Sequence, residues 1–194
     1  YFRVSGLVTI LACVIGAVGS EWAYCKITKK KSTINDLSAV VTGLLLAFNV
    51  PAGLPVWMCI LGSIFSIVVV KMLFGGIGFN FLNPALAGRA FLLASFPVAM
   101  TTWLAPGSNP DAVTSATPLS YMKLAGAEGM GTSSGAVDKL HDAGISIGQM
   151  FMGNIGGTVG ETCALLLIIG GIYLIYKGII SYVMPVTYIG LVFI

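Results

Sequence analysis

Several groups of residues in this chain have types and spacing suited to chemistry. The first is Asp111-Ala112-Val113-Thr114-Ser115-Ala116-Thr117, a polar string of the form D-x-x-[ST]-[GS]-A-T that closes on a hydroxyl able to carry a phosphoester. A threonine hydroxyl is a feeble nucleophile, so joining a group to Thr117 requires an external enzyme and an accessible loop. Ser115 and Ala116 are small and leave room for that approach, Thr114 precedes them, and Asp111 is the acid of the string. The plain alternative is a Ser/Thr or Asx turn before Pro118. Asn80 and Asn83 form a second group: three residues apart, they either face one cavity or cap a broken helix, and both can hold. An asparagine amide donates and accepts without adding charge. Glu161, at the head of an apolar run, is an ion-pathway candidate, because carboxylates inside a membrane are functional candidates by default. It also fits as a helix N-terminal acid favoured by the dipole. Arg89, inside an apolar helix, either binds a phosphate or carboxylate of a ligand or makes a structural ion pair.

Metal chemistry and self-contained catalysis find little support. Cys13, Cys25, Cys59 and Cys163 have no ligand-like spacing and read as small buried apolar residues. His141 beside Asp142 is a lone histidine in a polar loop. No dinucleotide fingerprint, phosphate loop or catalytic triad is present, so no residue is assigned as catalytic or as a metal ligand.

The elements that must hold these groups are apolar. Of the 194 residues 57% are hydrophobic and only 9% charged, with mean hydropathy +0.96. Soluble domains carry about 25% charged residues, so an integral membrane protein is expected. Lys26, Lys29, Lys30 and Lys31 follow the first apolar run and, by the positive-inside tendency, place that loop in the cytoplasm. Such basic flanks are routine, and no nucleic acid is expected as a partner. Trp22, Trp57 and Trp103 near span ends fit interfacial belts. The chain starts at Tyr1 and stops at Ile194 within an apolar run, which points to the middle of a longer membrane subunit. Arg3 as the sole preceding charge and the lack of a small-residue cleavage site speak against a secretory leader.

Residues 5–24 read as a first span. Asn35-Asp36 offers an N-cap for a short run over 37–50, which Asn49 to Pro55 breaks, since each proline removes a donor and disfavours helix before it. A second run covers 56–73 and ends near Lys71 with a return to the cytoplasm. The glycine-rich stretch 75–83 is irregular, and a helix over 84–103 begins at Pro84, a favoured first position. Residues 105–144 turn polar and form an extracytoplasmic loop that carries Thr117. A short run over 145–155, glycines at 156–160, a span over 162–176 and an incomplete run over 179–194 complete about six spanning elements. The fold class is therefore all-α: one polytopic transmembrane domain over 1–194, with broken or re-entrant helices of the kind transporters use around their sites.

The string Asp111 to Thr117 resembles the sites at which flavin transferases join FMN to a threonine. Together with Thr42-Gly43-Leu44-Leu45-Leu46-Ala47, Asn80-Phe81-Leu82-Asn83-Pro84-Ala85-Leu86 and Gly160-Glu161, it resembles the RnfD and NqrB family over roughly residues 36–177. The wording of the motifs is closer to the RnfD branch. The resemblance implies a urea-transporter-like bundle within a subunit of about ten helices, and covalent FMN on Thr117. It also implies a non-covalent riboflavin at the segment holding Asn80 and Asn83. It further implies electron transport through flavin, coupled to sodium or proton movement in a ferredoxin:NAD+ oxidoreductase, as a subunit not catalytic alone. Partners would be RnfA-, RnfB-, RnfC-, RnfE- and RnfG-type subunits, membrane lipid and a maturing flavin transferase, in the bacterial or archaeal cytoplasmic membrane. NADH would then be oxidised on another subunit. Two other readings stand beside it: an NqrB-like subunit of a sodium-pumping NADH:quinone reductase, and a flavin-free urea-transporter-like channel.

Overall fold

The computed structural model describes residues 2–30, 33–104, 119–120, 123, 145–153, 155–160 and 162–192. The string 111–117, His141 and Glu161 lie outside the described residues. Helix α1 spans Arg3–Ile27, longer at both ends than the expected 5–24. At about 1.5 Å per residue it exceeds the roughly 30 Å of a bilayer core. Its end is closed by Lys29 in the left-handed region at φ 52°, while Lys30 N–H returns to the Cys25 carbonyl at 3.1 Å. Lys26 lies 4.7 Å over the Trp22 ring and Lys30 5.8 Å over Tyr24, so two of the basic residues bind aromatics at this helix end.

A 3-10 turn, Ile34–Asp36, leads to α2, Ser38–Phe48. The expected cap at Asn35-Asp36 falls differently. Leu37 occupies the N-cap position at φ 58° with no side-chain cap bond, and Asp36 Oδ1 instead accepts from Ser38 N–H at 2.8 Å. Helix α3, Val56–Ile64, follows Pro55 and continues into a π-helix, Phe65–Met72. The expected single run over 56–73 thus changes gauge halfway, as Leu73 N–H to the Val68 carbonyl at 3.1 Å shows. The expected helix over 84–103 is also two elements, α4, Pro84–Ser95, and α5, Pro97–Thr101. Pro97 lacks the donor that would continue α4, and Phe96 takes φ −134° and ψ 59° at the joint.

Helix α6, Ile147–Met152, starts from a capping box in which Ser146 and Gln149 bond each other's backbone N–H at 3.2 and 3.1 Å. It ends at Gly153, φ 90°, where a Cβ would lie 2.8 Å from Cys163 Cα. Helices α7, Ala164–Tyr176, and α8, Val183–Val192, follow. The regular elements among the described residues are all helical, with one isolated antiparallel bridge between Pro51 and Thr158.

Among the described residues, α1 is the one helix long and apolar enough to cross a membrane by length and composition. The segments Ser38–Phe48, Val56–Met72, Ala164–Tyr176 and Val183–Val192 are shorter apolar helices. Leu166, Leu167, Ile169 and Ile172 of α7, and Val186, Ile189 and Leu191 of α8, point outward. Water-soluble monomers rarely show contiguous apolar faces of this extent, whereas lipid accepts them.

The core joins α1, α2, α3 and α4 through small side chains, including Ala12, Cys13, Ala47, Cys59 and Ala85, around Leu46 and Leu92. Helices in lipid gain from van der Waals contact, which small residues permit by letting backbones approach. Gly43 of α2 shows this best: a Cβ there would sit 2.8 Å from Val14 Cα and 2.9 Å from the Cys13 carbonyl oxygen. Both obstacles are backbone and cannot yield. Gly43→Ala is expected to destabilise by about 1–3 kcal/mol, the usual range for overpacking, read as a lower thermal midpoint of the detergent-solubilised protein.

Candidate functional site

Three polar places interrupt this apolar bundle. The first lies where α2 breaks. The final carbonyls of any helix lack intrahelical partners, and here another strand of chain supplies them. Gly160 N–H donates to the Phe48 carbonyl at 3.0 Å and Val159 N–H to that of Val50 at 3.3 Å. Gly160 is required for this approach, because a Cβ would meet Phe48 Cβ at 2.5 Å. Arg89 Nη1 of α4 donates to Asn49 Oδ1 at 3.1 Å, and Asn49 Nδ2 donates to the Leu45 carbonyl at 2.8 Å. With donor and acceptor both engaged, the Asn49 amide has one orientation and ties α4 to the end of α2. Thr158 and Thr162, on either side of Glu161 in the chain, are buried.

The second place is the segment before α4. Gly75, Gly76 and Gly78 adopt φ of 111°, 97° and 87°, a left-handed course that residues with a Cβ seldom follow. Asn83 Oδ1 accepts from Ala85 N–H at 3.0 Å and Leu86 N–H at 3.4 Å, so its acceptor is spent as the N-cap of α4. Asn83→Ala should cost about 1 kcal/mol of stability, measurable by chemical unfolding in detergent. Asn80 differs: its Oδ1 is buried without a hydrogen-bond partner among the described residues. Buried polar atoms nearly always find partners, so this oxygen is suited to accept from a ligand N–H. Of the two amides, that of Asn80 has its acceptor unengaged among the described residues.

The third place joins residues that the sequence reading passed over. Glu21 of α1 and Lys71 of the π-helix form an ion pair at 2.6 Å, with side chains 0% and 2% exposed. Lys71 Nζ also donates to Ser38 Oγ, and the Thr33 hydroxyl donates to the other carboxylate oxygen of Glu21. Ser38 Oγ–H in turn donates to Asp36 Oδ1. Partial loss of water pushes the Asp36 carboxyl up, but the Ser38 hydroxyl and amide, with the Lys71 charge, outweigh it and hold the group below its ordinary value. The run ends near Lys71 as expected, and the Lys71 side chain is in addition buried. Lys71 continues the buried face of Cys59, Ser63 and Ile67, four residues apart along α3 and the π-helix, with Gly62, Ser66 and Val70 beside them. A carboxylate inside the first apolar run was the available signal, since charges there normally pair with one another.

The structure therefore brings Asn49, Arg89 and the 158–160 segment together, sets Asn80 and Asn83 to different tasks, and adds Glu21 and Lys71. Asp111, Thr114, Ser115, Ala116, Thr117 and Glu161 are outside the described residues. Interrupted helices, small-residue contacts and polar groups at the breaks define an all-helical bundle of the membrane-protein class. More particularly, the chain belongs to the NQR2, RnfD, RnfE family, which it matches over residues 1–194. It is 47% identical over 97% of its length to the D component of the Na(+)-translocating ferredoxin:NAD(+) oxidoreductase complex of Acetobacterium woodii, covering 55% of that protein. It is 43% identical over 98% of its length to the D component of the proton-translocating complex of Clostridium ljungdahlii, covering 56%. With the B component of the Na(+)-translocating NADH-quinone reductase of Klebsiella pneumoniae it shares 37% identity over 85% of its length, covering 38%. The chain spans about half the length of the two ferredoxin:NAD(+) oxidoreductase relatives.

Proposed function

We propose that this chain is part of an RnfD-type subunit that carries electrons through FMN joined to Thr117. The complex would be a redox-driven ferredoxin:NAD+ oxidoreductase that moves sodium ions or protons across the bacterial or archaeal cytoplasmic membrane. The observation that carries this reading is the 47% identity over 97% of the chain to a relative named as such a subunit. The lower identity and coverage with the quinone-reductase subunit place the NqrB-like reading second. A bound flavin supplies the redox chemistry, while the protein supplies position and electrostatics.

In this reading Thr117 is the attachment point, Asp111 serves the transferase, and Thr114, Ser115 and Ala116 keep the loop accessible. The buried, unpartnered Oδ1 of Asn80 fits the imide N–H of a second, non-covalent flavin such as riboflavin. Asn83 holds the α4 terminus beside it, and Arg89 with Asn49 braces the helix break near the segment that leads to Glu161. The subunit spans the membrane several times and works with RnfA-, RnfB-, RnfC-, RnfE- and RnfG-type partners.

The test is mass spectrometry of the full-length subunit from its native host, with mapping of the peptide covering 110–123. An added mass of FMN less one water on Thr117 is the expected result. An unmodified peptide from a host with active flavin transferase overturns the reading and leaves the flavin-free channel in its place.

A further inference from the structure

Two of the four cysteines face each other in the core and take no part in the proposed flavin chemistry. Cys13 of α1 and Cys59 of α3 are fully enclosed, and their side chains share a hydrogen bond. The backbone holds them there. Ser63 Oγ–H donates to the Cys13 carbonyl at 3.0 Å and to that of Cys59 at 2.8 Å, so the two carbonyl oxygens are at most about 6 Å apart. One turn further along α1, a Cβ on Gly16 would sit 3.2 Å from Ile60 Cα, the mark of two backbones in direct approach. A disulfide needs its Cα atoms about 4.4–6.8 Å apart, and helices packed this closely bring facing residues into that range.

We propose that Cys13 and Cys59 form a reversible disulfide when hydrogen peroxide, a small uncharged oxidant, enters the core, and that this bond ties α1 to α3. One thiol attacks a peroxide oxygen and the O–O bond breaks. The sulfur becomes a sulfenic acid, and the other peroxide oxygen leaves as water with the thiol proton. The second thiol then attacks that sulfur. The S–S bond forms, the S–O bond breaks, and the hydroxyl leaves as a second water with the second thiol proton. Two electrons pass in all, from the two thiols to the peroxide. A thiol enclosed among apolar side chains reacts slowly, so the first step sets the rate. The second joins groups already in contact and needs no further encounter.

The surroundings favour this product over the other fates of paired thiols. The cluster that encloses them, with Leu46, Val50, Leu92 and Met100, is apolar and contains no charged side chain. A monovalent metal held by two thiolates, or a cysteine oxidised to a sulfinate, would place an unpaired charge there, which costs far more than burying a neutral group. A disulfide is neutral and needs no hydrogen-bond partner. A sulfenic acid beside a thiol condenses to the disulfide instead of climbing to the irreversible sulfinic acid. Each cysteine thus guards the other, and a reductant restores both. The other two cysteines have different neighbours: Cys25 Sγ lies 3.9 Å from Thr33 Oγ1, and Cys163 is half-buried at the start of α7. The proposal stands whether or not Thr117 carries a flavin.

The test treats the full-length subunit in lipid vesicles with hydrogen peroxide and removes the excess with catalase. The protein is then denatured in N-ethylmaleimide, digested without reductant and mapped by mass spectrometry. The expected product is a pair of peptides joined through Cys13 and Cys59, two hydrogens lighter than the separate peptides and lost on treatment with a phosphine reductant. The variant Cys25→Ser, Cys163→Ser should keep it. Cys13→Ala and Cys59→Ala should each lose it and leave the remaining cysteine of the pair with added oxygen atoms. Suppose instead that the native protein, at a peroxide dose that oxidises the exposed Met152 and Met184, yields Cys13 and Cys59 both capped by maleimide. That result overturns the proposal, as does joining of either cysteine to Cys25 or Cys163. Equal oxygen uptake by Cys59 with and without Cys13 overturns it as well.

Discussion

Thr117→Ala is expected to yield a subunit that inserts, assembles and carries no covalent flavin. Its flavin absorbance should disappear on denaturation and acid precipitation, whereas the native subunit is expected to keep it. Ferredoxin-to-NAD+ electron transfer by the assembled complex should fall to the level of a complex lacking the subunit. The reason is chemical: the phosphoester needs the hydroxyl oxygen at this position, and neither adjoining side chain, Ala116 or Pro118, supplies another. The change removes one hydroxyl and one methyl group from a polar string and leaves the apolar bundle untouched, so loss of flavin with retained insertion separates cofactor loss from misfolding. Asp111→Ala should act earlier, lowering the fraction of flavinylated protein without touching the attachment atom. A Thr117→Ala protein that keeps acid-stable flavin would move the attachment elsewhere.

The expectation for the string rests on linear logic: an external enzyme would recognise a few consecutive side chains, so spacing alone carries the proposal for Thr117. Helix breaks were legible for a related reason. Pro51 and Pro55 cannot donate, and Asn49 before them ends α2 where expected. Pro97 carried the same signal within 84–103, and the joint at Phe96 follows from it.

Register and partnership were not legible. Phe-Ser-Ile-Val-Val-Val-Lys-Met suits an α-helix as well as a π-helix, and the choice between them comes from packing. Asn80 and Asn83 have the same side chain, yet Asn83 caps a helix and Asn80 holds a buried acceptor without a partner among the described residues, a difference that exists only in the folded backbone. Glu21 and Lys71 are 50 residues apart. Each alone reads as an unexplained charge in an apolar run, and their pairing exists only once α1 packs against the π-turn.

That pairing predicts the largest effect on stability. Removing one partner of a buried pair costs about 3–5 kcal/mol, since the other charge stays buried, while replacing both is often neutral or stabilising. Lys71→Met would strand the Glu21 carboxylate with only the Thr33 hydroxyl. Glu21→Gln would leave the Lys71 ammonium facing Ser38 and an amide oxygen. Each single variant should therefore lower the unfolding free energy of the subunit strongly, with loss of assembled complex in the membrane. The paired variant Glu21→Gln, Lys71→Met should recover most of it, because the amide still accepts from Thr33 and the introduced thioether side chain fills the apolar path of the lysine. A double-mutant cycle by thermal or denaturant unfolding in detergent reads the coupling directly, since residues in contact deviate from additivity by up to about 3 kcal/mol. Single costs below about 1 kcal/mol that simply add would mean that water reaches the pair and screens it as at a surface, and the enclosure of Glu21 and Lys71 would then be wrong.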